Sequence, residues 1–267
     1  MKIATGDPMS TTSRLGRWLP SSRDGLNVWM KNKVEEAENK KARFHPMVQE
    51  FRHMIESDPV MYMHFTQMFL EQPSFPSPPG SGHIKLKDYK QMLVVINHVL
   101  STAPTFHTND MVGLPITGIL DFPMITPAGL AAFASPKVND LFRKLLGAWA
   151  AFLDSEQSLY VLNESPTGWL CPAAWKALNL DEYQIDPAAP FLGYKSWNDF
   201  FIRQFKPGLR PVALPDDPKA IVSACKSTPY AIETNVKEYD SFWIKSQPYS
   251  LHHLLKGNFV KFMPSSA

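Results

Sequence analysis

The sequence is poor in cysteine, has no pair of adjacent glycines, and contains no apolar run long enough to cross a membrane. Its two cysteines, Cys171 and Cys225, are too few for a disulfide framework or a zinc site, which predicts reduced thiols and a cytoplasmic location. A transmembrane helix needs roughly 18 to 20 apolar residues in succession, so none is expected. Because the formal net charge is only +2, nucleic acid is not expected as a partner.

What the chain does contain is apolar material: 44% of its 267 residues are hydrophobic and 19% are charged. That balance excludes wholesale disorder and suffices for one large domain or two modest ones. Residues 1–25 are predicted to form a separate tail, and its first 23 residues are rich in Ser and Thr and carry three arginines, as transit peptides do. An aspartate and two prolines interrupt any amphipathic helix there. A flexible cytosolic tail is therefore favoured over a mitochondrial import signal.

Residues 26–186 show the spacing of amphipathic helices and no strand pattern, and they predict an all-helical domain. Asp88, for example, is expected to cap a helix with one apolar face. That face consists of Tyr89, Met92, Leu93, Ile96, Val99 and Leu100. A loop rich in Pro, Gly and Ser is predicted at 72–82.

Two further features of this domain are predicted. Residues 104–127 lack a clear period although they are apolar, which indicates an irregular, buried crossing segment. A long helix begins at Ser135-Pro136. Within it, Gly147 and Ala148 are small enough to let another helix pack closely.

Neither a metal site nor a phosphate site is predicted. Glu50 and His53 form an E-x-x-H pair, but di-iron bundles need this pair twice, together with two further glutamates. The sequence contains no second pair of this kind. The GSG at Gly80 lies in the Pro-rich loop rather than between a strand and a helix, so it does not indicate a phosphate-binding turn.

From residue 187 onward the pattern changes to short helices and strands, and the predicted fold class is therefore α+β. Ser196 is expected to cap a short helix, with Asp199 returning the contact of a capping box. Alternation at Tyr230–Val236 and the apolar run at 242–244 predict strands of an antiparallel sheet with too few strands to close. Ser250 is expected to cap a final short helix that stops at Gly257. We place the domain boundary near Asp186-Pro187.

Three stretches of this second part carry a resemblance to a known family: FFIRQFKPGLRPV at 200–212, IVSACKS at 221–227 and IKSQPYSLHHLL at 244–255. Together they resemble the start of the phosphatidylserine decarboxylase catalytic domain. The helical part upstream resembles the N-terminal extension of the branch that includes fungal aromatic amino-acid decarboxylases, L-tryptophan decarboxylase among them. The resemblance thus implies a helical domain at 26–186 and the start of a catalytic domain at 187–267.

The resemblance also implies a chemistry. Enzymes of this family cut themselves at a Gly-Ser bond and convert the serine into a pyruvoyl group, which forms a Schiff base with the substrate amine and takes up electrons as carbon dioxide leaves. The implied substrate is phosphatidylserine or a free aromatic amino acid. The helical branch and the lack of a basic amphipathic helix favour the amino acid. Trp197, Phe200 and Phe201 are candidates to stack on it, with core packing as the alternative for all three.

The sequence departs from the family pattern in three respects. Neither the Gly-Gly-Ser turn of self-cleavage nor the segment with the catalytic histidine is found. Lys226 stands where relatives carry the acidic residue that polarises this histidine, and a cation cannot accept the imidazole hydrogen bond. We therefore expect a truncated, inactive portion that forms no pyruvoyl group. A Schiff base on Lys226 itself is a further alternative to a surface lysine in a turn.

A different class of function stays open at this point. The helical domain can act as a non-catalytic interaction or scaffold protein that binds a partner or a full-length relative. In either case the sheet edge and the apolar residues from Ile221 onward lack partners, which predicts association through that edge.

Overall fold

The computed structural model describes residues 23–71, 85–107, 112–222, 234–244 and 247–255. They fall into two compact units, a helical unit that ends at Leu209 and a C-terminal unit that begins at Arg210. The α-helices of the helical unit are α1 (Arg23–Lys40), α2 (Pro46–Ser57), α3 (Pro59–Leu70), α4 (Tyr89–Val99), α5 (Pro115–Met124), α6 (Pro127–Phe133), α7 (Pro136–Leu153), α8 (Pro172–Leu178) and α9 (Trp197–Phe201). Short 3-10 helices lie at Glu156–Val161, Leu180–Glu182 and Pro190–Gly193.

The C-terminal unit contains an antiparallel hairpin of β1 (Ser241–Ile244) and β2 (Gln247–Ser250), followed by α10 (Leu251–Leu254). In its register Ser241 lies opposite Ser250. Helices dominate the described chain and its strands form one antiparallel pair, so the predicted α+β class is confirmed. Within the same ranges no helix is both long and apolar enough to cross a membrane.

The helix starts follow the capping residues that the sequence indicates. The side chain of Asp58 accepts hydrogen bonds from the backbone of Val60 at 3.0 Å and Met61 at 3.3 Å, and so begins α3. Asp88 accepts from Gln91 N at 2.8 Å and begins α4 as predicted. Such side chains satisfy backbone donors that have no partner inside the first turn.

Two apolar clusters form the core of the helical unit. The first joins α1 through α7, and in it the ring of Phe51 meets those of Phe65 and Phe142 edge to face, with centroids 5.4 and 5.2 Å apart. The second is formed mainly by residues between Leu153 and Phe205. The Met- and Phe-rich stripes of α2 and α3 thus bury their apolar faces in the first cluster, as helical spacing of such residues usually does.

The structure corrects two expectations about the helical domain. Residues 104–127 were predicted to be irregular, but residues 115–124 of this segment form helix α5. Its Ile116, Ile119 and Leu120 are buried. This helix is apolar on most sides, so its sequence has no amphipathic period to reveal it. Gly147 in α7 was expected to admit a neighbouring helix, but a Cβ built there meets no described atom within 4 Å.

The domain boundary predicted near Asp186-Pro187 stays a prediction. The structure divides into compact units at a different place, after Leu209. The backbone shows why the chain stays in the helical unit beyond residue 187. Gln184 N donates to Gln204 O and Lys206 N donates to Glu182 O, both at 2.9 Å. The stretch that follows α9 is therefore paired with the stretch that precedes the predicted boundary.

The C-terminal unit confirms some predictions and corrects one. Ser250 Oγ accepts from His253 N at 3.2 Å and begins α10, with His253 Nδ1 returning the contact to Ser250 N at 3.4 Å. The predicted strand at Tyr230–Val236 lies partly outside the described residues, and its described end, 234–236, is not a strand. Asn235 has φ of 57°, a left-handed conformation that a strand does not accommodate. Gly257, the predicted helix stop, lies outside the described residues.

A buried histidine on α4 makes the stability of the helical unit depend on pH. His98 is 8% exposed, and its Nε2 lies 3.0 Å from Glu36 Oε2 on α1. Burial, together with the positive charges of Lys33 and Lys40, lowers the pKa of His98 against the opposing effect of Glu36. The unfolded chain therefore takes up this proton at a higher pH than the folded chain does, so stability is full above the unfolded value and falls as pH drops below it.

We expect the urea midpoint of the chain to fall between about pH 7.5 and about pH 5.5, the range around the unfolded histidine value. His98→Gln removes this titration but keeps a side-chain amide that can donate to Glu36. Its midpoint should fall less over the same range. Equal losses in both proteins would show that other groups cause the pH dependence.

Candidate functional site

The residues that the sequence proposes for substrate binding lie on α9 and the turn that follows it. Ser196 Oγ accepts from Asp199 N at 3.0 Å, which confirms the predicted cap. The carboxylate of Asp199 accepts from Lys195 N at 3.0 Å, so the returning contact reaches one residue further back than a capping box requires. The first turn of α9 is thereby fixed at both ends.

The turn after α7 anchors α9 to the helical unit. Trp197 N donates to Ser158 Oγ at 2.9 Å. Ser158 is fully buried, and its single hydroxyl hydrogen is shared between two carbonyl acceptors, Leu153 O at 2.9 Å and Ser155 O at 2.7 Å. The side-chain amide of Asn198 donates to Asp154 Oδ1 at 2.6 Å. One buried hydroxyl thus connects the end of α7 with the start of α9.

Two of the three proposed substrate-binding aromatics are core residues. Trp197 is 4% exposed and Phe200 is 1% exposed, and both rings pack on Trp169 at centroid distances of 6.1 and 5.7 Å. Phe200 also meets Tyr194 edge to face at 5.3 Å. Their aromatic faces are therefore used inside the second cluster, as the alternative of core packing predicts.

Phe201 is placed differently. It is 42% exposed, and its ring is stacked on that of Trp197 with centroids 5.1 Å apart and planes inclined by 19°. Phe201 is the member of the trio with a ring that a planar molecule can reach. The indole of Trp197 lies behind it and holds its orientation.

Arg203 is a feature that the sequence did not single out. Its guanidinium carbon lies 4.4 Å from the ring centre of Tyr183 and 5.0 Å from that of Phe200, within the range of cation–π attraction. Arg203 Nη1 donates to Phe200 O at 3.2 Å, and Nε is buried without a hydrogen-bond partner. The structure pairs Arg203 with no carboxylate in the part of the chain it describes. No sequence pattern indicated this arrangement, because Tyr183 is twenty positions away along the chain.

A carboxylate–histidine pair lies in the C-terminal unit, and it too escaped sequence reasoning. His252 Nδ1 lies 2.9 Å from Glu238 Oε1, and His252 N donates to Glu238 O at 3.0 Å. The imidazole is stacked on Tyr239 with centroids 5.5 Å apart. Such a pairing favours the tautomer with the proton on Nδ1 and leaves Nε2 as a proton acceptor. The hairpin between the two residues brings them together, and their spacing in sequence gives no signal.

The remaining predicted site residue, Lys226, lies outside the described residues, as does Cys225. Cys171 is a buried free thiol whose sulfur accepts from Ala174 N at 3.3 Å as the cap of α8. The described residues contain no group of three side chains able to hold a metal ion. The arrangement around α9 is thus suited to packing and recognition, and it contains no nucleophile paired with a base.

Comparison with known proteins identifies the family of the chain. Two models of phosphatidylserine decarboxylase match the chain, one over residues 45–178 and the other over residues 197–264. The chain belongs to the phosphatidylserine decarboxylase family. The first match covers most of the helical unit, and the second begins at α9. The aromatic segment described above is therefore the start of the second matched region of this decarboxylase-family chain.

Relatives within the family are similar over much of the chain. L-tryptophan decarboxylase from Psilocybe cubensis is 32% identical over 227 residues, 79% of this chain and 49% of that protein. L-tryptophan decarboxylase from Psilocybe cyanescens is 30% identical over 260 residues, 89% of this chain and 56% of that protein. Phosphatidylserine decarboxylase proenzyme 3 from Schizosaccharomyces pombe is 37% identical over 78 residues, 29% of this chain and 8% of that protein. The chain spans about half the length of the tryptophan decarboxylases it matches.

The buried hydroxyl of Ser158 provides a test of how α9 is held in this decarboxylase-family chain. Ser158→Ala leaves the backbone N–H of Trp197 buried without its acceptor, which should lower the free energy of unfolding by about 1–3 kcal/mol. Urea unfolding followed by tryptophan fluorescence measures the change. Ser101→Ala is a suitable control, because Ser101 Oγ donates to His98 O at the partly exposed end of α4 and accepts from no other residue that the structure describes. A Ser158 variant as stable as the control would show that α9 does not depend on this contact.

Proposed function

We propose that this chain provides the helical domain and the first strands of a pyruvoyl-dependent decarboxylase that acts on an aromatic amino acid. The observation that carries the proposal is the ordered match to both family models, over 45–178 and then 197–264. Relatives that align with most of the chain are named L-tryptophan decarboxylase, which supports tryptophan or a similar amino acid. The match to a phosphatidylserine decarboxylase covers 29% of the chain and makes the phospholipid the second candidate substrate.

A pyruvoyl group supplies an electron-accepting ketone that forms a Schiff base with an amine. The residues of this chain do not fit the formation of such a group. Gly80-Ser81 is the sole Gly-Ser bond in the sequence, and it lies in a stretch rich in proline without a preceding glycine pair. Lys226 stands in place of the acidic residue expected by family resemblance. The proposal is therefore that residues 1–267 alone form no pyruvoyl group and are inactive alone.

A role in substrate binding is proposed for Phe201 alone among the three aromatic candidates. Phe201 is 42% exposed, whereas Trp197 and Phe200 are buried in the second cluster. An aromatic substrate can contact the exposed part of Phe201, whose ring is stacked on Trp197 at 5.1 Å. Base- or indole-type stacking on an aromatic side chain contributes on the order of 1 kcal/mol.

The first test is the mass of the intact, purified chain after incubation, with release of carbon dioxide from tryptophan and from phosphatidylserine vesicles measured in parallel. We expect one species of 30.2 kDa and no carbon dioxide. Cleavage accompanied by turnover would contradict the proposed inactivity. In that event Ser81→Ala shows whether the Gly80-Ser81 bond is the one that breaks.

A second test asks whether the chain functions as part of a decarboxylase. The chain is joined to the C-terminal half of the Psilocybe cubensis L-tryptophan decarboxylase, beginning after the last aligned position. With Lys226→Asp restoring the acidic residue, the chimera should cleave itself and release carbon dioxide from tryptophan, whereas the chimera that keeps Lys226 and the C-terminal half alone should not. A chimera that folds and cleaves itself but leaves tryptophan unchanged would reject the substrate assignment, and turnover of phosphatidylserine instead would establish the second candidate.

A non-catalytic interaction protein is the alternative, and one observation favours it. Helix α3 contains no charged residue, and Val60, Met63 and Leu70 expose 53%, 55% and 74% of their surface. A full-length relative added to the intact chain should then elute with it in size-exclusion chromatography. Separate elution, together with activity of the chimera, would argue against this alternative.

A further inference from the structure

A cavity of about 250 Å³ lies in the helical unit between the end of α1, the 41–44 segment and α4. Its walls combine apolar and positively charged residues. They include Ala37, Lys40, Lys41, Phe44, Val94 and His98. This volume is enough for a small organic molecule of roughly ten to fifteen non-hydrogen atoms and lies just below the usual size range of ligand pockets, about 300–1,000 Å³.

The charge of the cavity comes from two lysines without counter-ions. Lys40 stands in the last turn of α1, and Lys41 follows it directly. Neither forms an ion pair with a carboxylate in the described chain. Glu38 also lines the cavity and accepts a hydrogen bond from the Gln91 side-chain amide at 2.8 Å, so the two lysines and this one carboxylate leave a net positive charge. Lys40, in the last turn, interacts with the partial negative charge of the helix end. Because Lys40 already offsets that partial charge, the positive charge of Lys41 is left uncompensated.

The floor of the cavity is held in place by an asparagine on α4. Asn97 Oδ1 accepts from His45 N at 2.7 Å, and Asn97 Nδ2 donates to Arg43 O at 3.3 Å. These two contacts hold the segment that joins α1 to α2 against α4. The cavity between them is therefore formed by the folded helical unit itself. Lys41 adopts φ of 42°, which turns the chain sharply at the end of α1.

The wall contributed by His98 contains an unsatisfied polar atom. His98 Nε2 contacts Glu36, as described above, and His98 Nδ1 is buried without a hydrogen-bond partner. With the proton on Nε2, Nδ1 is an acceptor. Buried polar atoms are satisfied in most proteins, so Nδ1 of this lining residue is an exception among the described residues.

We propose that this cavity is a binding site for a small organic carboxylate with an apolar body. The apolar body lies against Phe44 and Val94, and the carboxylate contacts the ammonium groups of Lys40 and Lys41. The site is separate from the aromatic segment at α9 and does not depend on the decarboxylase assignment. It gives the helical unit a ligand-binding function of its own.

The test uses the full chain with indole-3-propionate as the probe and tryptamine as its cationic counterpart of the same ring system. Isothermal titration calorimetry measures the affinity, and ¹H–¹⁵N correlation spectra locate the site through the Asn97 side-chain amide and the Ala42 backbone. We expect the carboxylate to bind and to shift these signals, and tryptamine to do neither. Tryptamine binding as tightly, or no binding of the carboxylate at all, would overturn the proposal.

Matched variants separate the charge of the site from its volume. Changing Lys40 and Lys41 together to glutamine should weaken binding of indole-3-propionate about tenfold or more, because charge-assisted hydrogen bonds are lost. Lys31→Gln, an exposed change on the same helix, should leave the affinity unchanged. Ala42→Leu should reduce the cavity volume and weaken binding while both lysines remain. Thermal unfolding midpoints within a degree or two of the parent chain confirm that each variant folds, and unchanged affinity in the double variant would contradict the site.

Discussion

Replacing Phe200 by alanine should lower the free energy of unfolding of the helical unit by about 3–5 kcal/mol, the range for a large aromatic removed from a packed core. Phe200 is 1% exposed and contacts the rings of Trp169 and Tyr194 and the guanidinium of Arg203. Its loss should open a cavity in the second cluster, because Trp169, Tyr194 and Arg203 all lose the ring that they contact. Urea unfolding followed by far-UV circular dichroism measures the effect.

Phe201→Ala is the matched control, because it removes the same side chain one position further along α9. With 42% of its surface exposed, Phe201 loses a stacking contact with Trp197 that is worth about 0.5–1.5 kcal/mol. The two variants therefore should differ by at least about 1.5 kcal/mol. Similar stabilities for both would mean that Phe200 is not the core residue that its burial indicates.

The second large effect is expected at Gly129 in α6. A Cβ added to this residue would overlap with the carbonyl oxygen of Pro123 and lie 2.9 Å from Thr126 Oγ1, the atom that caps α6. The carbonyl is backbone and cannot rotate away, so the turn between α5 and α6 must shift. Gly129→Ala should therefore cost about 3 kcal/mol or more, although alanine is the better helix former. The change in the urea midpoint reports this cost.

Gly147→Ala provides the control for helix propensity. Gly147 lies within α7, and an added Cβ there meets nothing within 4 Å. The substitution should raise stability by about 0.5–1 kcal/mol, since alanine loses less backbone freedom than glycine on folding. Destabilisation at Gly147 would show that this face of α7 is covered in solution, and a neutral result at Gly129 would show that the turn after α5 can adjust.

The family of the chain was predictable because local stretches carry it. The resemblance rested on runs such as 200–212 and 244–255. Both runs lie inside the region 197–264 that the second family model matches, and the first model matches residues 45–178. The site was less predictable. Trp197, Phe200 and Phe201 are three aromatics within five residues, and nothing local says which of them faces Trp169. Arg203 and the Glu238–His252 pair were missed because their partners are distant in sequence.

The sequence by itself determined where helices begin and which of their faces are apolar. Capping by Asp58, Asp88, Ser196 and Ser250 involves backbone groups within four residues, and the period of apolar side chains is equally local. Tertiary structure decided what depends on distant neighbours. It buried Phe200 and exposed Phe201, and it made α5 a helix despite its missing period. It also formed a cavity between α4 and the two lysines at the end of α1, where Asn97 of α4 binds the segment that follows α1. Burial and charge pairing are properties of the whole packed unit, and therefore no single stretch of sequence contains them.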